Sequence, residues 1–498
     1  MIHRMKIANL SQVSSLGAGH SDPLEAGAFL FFALLSTFLG IACLAVESPL
    51  LLLVAFSTLL AFSFKSPKLC LSLILAAAIF QNTILASLSG HIPSDDLFKA
   101  SQGVNFLTFS AFGSIFAVVC LTTTDPRIMR HKRKVMLSAL LLAVLVVYVA
   151  IGAKNANLAS AIVYFRQSSI LCFAFICGLY LGARINEKFL WDILLVTAII
   201  VLALGFFELF FPDEFYTLLQ VGKFNSFKFQ NNPELHHPEL IAKSTEFSWL
   251  NLTGDYALDI KARKLTGPTL HNISFGYVIA FLALTCLYRS RYFLFLASIG
   301  LLIYVGAKGP LAICLAALLV FSLLQLTRTK ARSAEKIVVA IAVAYTALVI
   351  AYGIKSIDLH VLGLLSGLNS IFHSPMGHGL GMGGNLSDAA RASRDIVEYR
   401  ASGVPFAIES ATGVLLYQIG IFTSLLILVF LSAAKGLRSV AAKDRKATVF
   451  VASLYFLFCN TLFQEESLAP AAAGLFFLLY GFLISNSDRV ETSLDKFP

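Results

Sequence analysis

Arg166, Arg263, Lys264 and Lys308 are cations placed at or near the ends of apolar segments, where a chain this hydrophobic has few reasons to keep charge. Arg166 lies about one helical turn inside its segment, within Tyr164-Phe165-Arg166-Gln167. Lys308 occupies a tight Ala307-Lys308-Gly309 turn, and Arg263 with Lys264 precedes Gly267-Pro268. A charge held in hydrocarbon costs about 3 kcal/mol or more, so such residues face a water-filled cavity and a partner. Several cations from separate helices suit a polyanion with a long apolar tail, and a lipid-linked diphosphate has both parts. Arginine grips phosphate oxygens in a fork, and lysine adds a point charge. In glycosyl transfer from such a donor, diphosphate leaves and cations stabilise its growing charge. Glu409 and His378 are placed to orient or deprotonate the accepting hydroxyl. Glu208, His271 and His373 stand nearby in supporting positions. Glu465 and Glu466 occupy the last turn on the same side, with no assigned role.

The elements that must position these groups are membrane helices. Mean hydropathy is +0.79, and 57% of residues are hydrophobic against 13% charged, far outside the range of soluble domains. A crossing needs about 20 apolar residues. On that measure about fourteen segments span: Leu24–Val46, Pro49–Phe64, Leu69–Leu88, Gly103–Thr123, Val135–Gly152, Ile162–Gly182, Leu190–Phe211, Asn272–Tyr288, Tyr292–Ala307, Pro310–Leu326, Ile337–Gly353, Ser410–Leu431, Ala447–Leu462 and Ser467–Ser485. The expected fold is all-α and polytopic. Residues 1–211 hold the first seven helices, and 212–271 form a long outer loop. Helices return over 272–353, a second long outer loop covers 354–409, and 410–498 hold the last three helices and a tail.

The formal charge of +10 reports topology rather than a nucleic-acid partner. Lysine and arginine concentrate in alternate connections, whereas the short outer ones hold only Lys99, Lys154 and Lys308. By the positive-inside rule both termini are cytoplasmic. Met1–Pro23 lacks the compact apolar run of a secretory signal. All 8 cysteines fall inside expected spans, which excludes a disulfide or zinc framework.

Within the first long loop, Asp213–Gly222 reads as a short interfacial helix. His236-His237-Pro238-Glu239 has the wrong spacing for metal ligands on one helix face, and no metal site is expected. In the second loop, Lys355–Phe372 is amphipathic and suited to lie along a membrane surface. The glycine-rich run from Gly377 to Asn385 superficially contains a dinucleotide fingerprint, but no strand precedes it. It reads instead as a flexible loop whose amides can approach a ligand. A polar helix then runs from Asn385 or Ser387 to Arg400.

From about Arg166 onward the chain resembles the O-antigen polymerase and O-antigen ligase superfamily (Wzy type). The pieces are Tyr164-Phe165-Arg166-Gln167, Gly205-Phe206-Phe207-Glu208, Arg263-x-x-x-Gly267-Pro268, Ala307-Lys308-Gly309, Gly379-x-Gly381-x-Gly383-Gly384-Asn385 and Glu409-Ser410-x-x-Gly413-Val414-Leu415-Leu416. The resemblance implies a GT-C-like glycosyltransferase of the bacterial inner membrane. Such enzymes use undecaprenyl-diphosphate-linked glycans as donor and acceptor on the periplasmic face, without metal or other cofactor. It also implies that Arg166 contacts the diphosphate, that Lys308 stands where relatives carry arginine, and that the family's external histidine is His373 or His378. A chain-length regulator and membrane lipids are further expected partners. The expected activity is polymerisation of lipid-linked repeats. An O-antigen ligase, with lipid A-core as acceptor, is the close alternative. A lipid-linked sugar transporter or flippase is the rival from another class, although the chain shows no internal repeat.

Overall fold

A computed structural model describes residues 23–45, 65–155, 157–228, 246–248, 261–326, 331–385 and 409–494. Among these, 11 helices are long and apolar enough to cross a membrane. Apart from single turns, the first seven helices are α1 (Pro23–Ala45), α2 (Pro67–Leu88), α3 (Asp95–Ser101), α4 (Val104–Thr122), α5 (Lys132–Asn155), α6 (Leu158–Arg184) and α7 (Glu187–Phe210). Two short helices follow, α8 (Pro212–Leu218) and α9 (Val221–Lys228). Then come α10 (Asn272–Tyr288), α11 (Tyr292–Val305), α12 (Lys308–Leu326), α13 (Ala331–Ser356) and α14 (Leu359–His373). The chain closes with α15 (Ala411–Ile419), α16 (Ser424–Lys443), α17 (Thr448–Phe463) and α18 (Leu475–Leu494). In hydrocarbon, each backbone N–H and C=O must be satisfied within its own segment, which is why apolar runs become helices. Polar residues then mark the starts: Ser66, Asn157, Asn186 and Ser410 cap α2, α6, α7 and α15 through side-chain oxygens.

The structure refines several expectations. The span expected over 49–64 lies outside the described residues. Helices α10 and α11 have 17 and 14 residues, about 25 and 21 Å of rise, short of a full crossing. The twelfth expected span breaks after Ile419 into a 3₁₀ turn, Gly420–Thr423, and resumes as α16 as far as Lys443. The expected helix over Asp213–Gly222 is instead two, joined where Gln220 adopts φ 52°. A two-stranded antiparallel pair, β1 (Glu246–Ser248) and β2 (Lys261–Arg263), is the departure from an all-helical chain among the described residues.

Helix α14 does not simply lie on a surface. It runs beside α15, burying Val361, Gly363, Leu364, Gly367 and Ser370. A Cβ on Gly367 would strike the Gly413 backbone, and one on Gly413 would strike Gly363, so the two backbones touch. Its outward face keeps Leu368 and Phe372 exposed.

The centre of the bundle is the pairing of α6 with α18. Gly178 and Gly182 are one turn apart on α6, and a Cβ on either would collide with the Leu478 or Phe482 carbonyl. On the facing side, a Cβ on Gly481 would come within 2.5 Å of the Phe175 carbonyl. Small residues at this spacing let membrane helices approach until backbone meets backbone. Replacing Gly182 by leucine must push the helices apart or force strained rotamers, at a cost of about 1–3 kcal/mol or more. The expected outcome is a clear fall in the detergent-solubilised melting temperature for Gly182→Leu. Gly300→Leu, at a position with nothing near its Cβ, is expected to leave that temperature unchanged.

The two ends of the bundle differ chemically. One end is braced by Lys68 with Glu25, Arg184 with Asp125, and Arg438 with Glu335 and Tyr455. These are the residues that the charge alternation assigns to one side. The opposite end carries His271, His360, His378, Glu409 and Glu465.

Candidate active site

At this histidine-bearing end α17 stops at Phe463, where the Gln464 N–H bonds the Asn460 carbonyl at 2.8 Å. A 3₁₀ turn, Glu465–Leu468, then turns the chain back toward α18. Glu465 is only 4% exposed. The α6 side chains Tyr164 and Gln167 and the α15 residues Ala411, Val414 and Leu415 line a small cavity beside it. The Gln167 amide donates to the Glu465 carbonyl at 2.8 Å, and the Asn385 N–H donates to its carboxylate at 3.3 Å. Burial pushes the Glu465 carboxyl up to about 7. The neighbouring Tyr164 hydroxyl opposes this, the Glu466 charge adds to it, the Asn385 N–H opposes it, and the Glu409 charge adds again. Glu466 is raised as well, chiefly by burial, with His360 pulling the other way.

Glu409 stands at the rim. Its backbone is left-handed, φ 59°, a strained conformation for a residue with a side chain. His360, at the start of α14, holds it from below: the ring Nδ1 is 3.2 Å from the Glu409 carbonyl and 3.6 Å from its carboxylate. Three carboxylates and one imidazole therefore meet where α14, α15 and the Glu465 turn converge.

Two of the expected cations lie on helices that pack against this cluster. Arg166 is partly buried on α6, adjacent to Gln167, and makes no ion pair among the described residues. Lys308 opens α12 and is exposed, likewise without an ion pair among them. Its neighbour Gly309 brings α12 against the turn. A Cβ there would lie 2.9 Å from the Asn460 amide and 3.0 Å from Gln464 Oε1. That same Oε1 accepts from the Tyr277 hydroxyl at 2.8 Å, tying α10 to the cluster too.

The remaining expected residues take other places. Arg263 lies in β2 opposite Glu246, and Lys264 follows it, exposed. Their loop is anchored by Glu208, which is fully buried. The Glu208 carboxylate accepts from the Tyr216 hydroxyl at 2.8 Å, the Thr266 N–H at 2.9 Å, the Thr266 hydroxyl at 2.8 Å and the Gly267 N–H at 2.6 Å. From α2, Thr83 and Asn82 donate to the Pro268 and Thr269 carbonyls, each at 2.6 Å. Glu208 is thus a structural clamp, with its acceptor capacity used. His271 caps α10, its ring accepting the Ser274 N–H at 3.3 Å. Burial, helped by the Lys228 charge, lowers it to about 4, so it is neutral at pH 7.

His373 is exposed, with Nδ1 3.2 Å from the Asn369 carbonyl. His378 stacks on Tyr417 at 4.2 Å, its Nδ1 3.0 Å from the Tyr417 carbonyl. Tyr417 lies two turns from Glu409 along α15, about 12 Å, so His378 and Glu409 do not form a pair. The glycine-rich run is also not a flexible loop. Its amides are used within the protein: Gly379 N–H bonds the Gln418 carbonyl at 2.9 Å and Leu380 N–H the Tyr148 carbonyl at 3.0 Å. Gly384, with φ 81°, packs against Tyr164 and Glu465, where a side chain would clash. The His236–Glu239 stretch and the polar helix expected as far as Arg400 lie outside the described residues. Among the described residues no group of three or more His, Cys, Asp or Glu is placed to hold a metal.

Sequence reading missed the roles of His360, Gln167 and Glu465. The available signal was Gln464-Glu465-Glu466 between two apolar spans, where two adjacent acids must either face water or each other. No known family model and no curated protein matches this chain.

Two measurements test this geometry. Glu208→Ala leaves the Thr266 and Gly267 donors without their acceptor, at a cost of about 3 kcal/mol. It should lower the melting temperature and open the 261–271 loop to protease. Glu465 supplies a pH test. Its folded carboxyl titrates near 7 against an ordinary 4.5. Between those values the folded chain holds a proton that the unfolded chain has lost, so its contribution is full below about 4.5 and lost as pH rises through about 7. The melting temperature should fall over that window, and Glu465→Gln should flatten the fall.

Proposed function

We propose that this chain is an inner-membrane glycosyltransferase that polymerises undecaprenyl-diphosphate-linked oligosaccharide repeats on the periplasmic face. The observation that carries the reading is that α6 and α12, whose Arg166 and Lys308 make no ion pair among the described residues, both pack against the turn that carries Glu465. Gln167, next to Arg166 on α6, bonds the Glu465 carbonyl, Gly309, next to Lys308 on α12, abuts Gln464, and Glu409 stands close enough to raise Glu465. A base and an anion site side by side are what transfer from a diphosphate donor requires. The Wzy-type motifs in the sequence supply the rest of the support, together with the short α10 and α11 and the span over 49–64, which would bring the crossings to fourteen.

In this reading Arg166 and Lys308, with Arg263 and Lys264 from the loop, hold the donor diphosphate. The acceptor hydroxyl oxygen attacks the donor's anomeric carbon, and the bond to the diphosphate oxygen breaks. The electron pair leaves with the lipid diphosphate, where the cations stabilise it. The hydroxyl proton passes to Glu409, which His360 orients. His378 assists only by fixing the glycine-rich run against α15. Lysine at 308 gives a point charge rather than a fork, so Arg166 carries the directional contacts.

Reconstitution with one labelled lipid-linked repeat tests the proposal. A ladder of longer products, made without added lipid A-core, is expected. A single transfer that needs the core would make the chain a ligase, and movement of the labelled lipid without a new glycosidic bond would make it a transporter. Arg166→Ala should abolish the ladder while protein levels stay near wild type. Normal chain lengths in that variant would remove Arg166 from the mechanism.

A further inference from the structure

At the opposite end, between α7 and the turn that joins α10 to α11, lies a shallow open cleft of about 40 Å³. Trp191, Asp192 and Leu195 line it from α7, and Thr285, Cys286, Arg289 and Arg291 from the turn. The turn is built rigidly. Ser290 is left-handed, φ 58°, and the Arg291 N–H bonds the Cys286 carbonyl at 2.8 Å. Lys446 reaches the Ser290 hydroxyl at 3.1 Å. The floor is aromatic, with Trp191 4.9 Å from Tyr288. The Trp191 indole N–H is occupied by Glu187 at 2.8 Å, and the Tyr288 hydroxyl by Asp444 at 2.7 Å. Glu187 and Asp444 thus lie behind the aromatic floor. Neither arginine makes an ion pair among the described residues. The lining residues themselves, two arginines and Asp192, carry one net positive charge, with Lys446, Glu187 and Asp444 behind them.

Beyond the arginines the surface turns apolar. Ile199 on α7 is 52% exposed, and Tyr292, Phe293 and Leu296 on α11 are exposed as well, Phe293 at 82%. A charged rim that continues into an apolar face matches one kind of molecule: a phosphate headgroup with acyl chains attached. We infer that this cleft is a binding site for an anionic phospholipid, with Arg289 and Arg291 on the phosphate and the chains along α7 and α11. The site is independent of the transferase chemistry at the other end. Scattered basic residues on this side need no specific lipid, so the test must separate a built site from general attraction to a charged membrane.

The chain has 2 tryptophans, Trp191 and Trp249, so Trp249→Phe leaves Trp191 as the reporter. The protein is reconstituted into phosphatidylcholine with a minor fraction of acyl-brominated lipid, which quenches nearby tryptophan. Brominated phosphatidylglycerol is expected to occupy the cleft about fivefold more readily than brominated phosphatidylcholine. Arg289→Gln with Arg291→Gln should erase that preference. Arg127→Gln with Arg130→Gln, exposed elsewhere among the basic segments, should keep it. Asp192→Asn, which removes the opposing charge, should increase it. Equal quenching by both lipids, or equal loss of preference in both arginine pairs, would overturn the site. Relief of quenching by soluble glycerol 3-phosphate would show that a free phosphate ester, not a lipid, is the ligand.

Discussion

Backbone contact between α6 and α18 sets where the outer part of α6 meets the Glu465 turn. Gly178, Gly182 and Gly481 remove the side chains that would separate the two helices, and in a membrane such close packing replaces the hydrophobic drive that water supplies. With that distance fixed, the outer part of α6 meets the turn that leads into α18. Gln167 can then donate to the Glu465 carbonyl, and Tyr164 can stand over its carboxylate. Arg166, next in the chain, leaves α6 about 100° round from Gln167 at the same level. A wider spacing would leave the same residues present and unable to act together.

Two buried glutamates show how differently one side-chain type is used. Glu208 is surrounded by N–H and O–H donors from Tyr216, Thr266 and Gly267, which compensate its lost hydration. It is a fixed strut between a helix end and a loop. Glu465 is buried with fewer donors and two acidic neighbours, so it keeps its proton up to about neutral pH. Burial alone does not distinguish the two. The count and polarity of contacts do, and these depend on loops far away in the sequence.

The membrane-helix architecture was legible from hydropathy because hydrocarbon admits so few backbone arrangements. The ion pairs Lys68–Glu25, Arg184–Asp125 and Arg438–Glu335 join residues that the charge alternation groups together. Helix breaks were not legible, because Gly420 looks the same in a continuous span as at a kink, and only packing against the Pro375 carbonyl sets its geometry. The glycines of α6 were readable as a small-residue pair at one-turn spacing, but their partner on α18 was not. For the site, ionisable residues at segment ends pointed to Arg166, Lys308 and Glu409. His378 was misplaced relative to Glu409 because pairing it required knowing that α14 and α15 run side by side. Asn82 and Thr83 were missed because mid-helix polar residues in a hydrophobic run give no hint of the loop they hold.

The run from Gly377 to Gly384 acts as a threaded ribbon rather than a hinge. A Cβ at Gly379 would come within 2.6 Å of the Gly152 backbone, one at Gly381 within 2.7 Å of Ala161, and one at Gly377 within 2.5 Å of Gln418. Adding or deleting a single residue inside the ribbon would slide His378, Leu380 or Met382 into those gaps. The segment is therefore constrained in length as strictly as in composition, so insertions common in exposed loops are barred from this stretch although no regular helix or strand contains it.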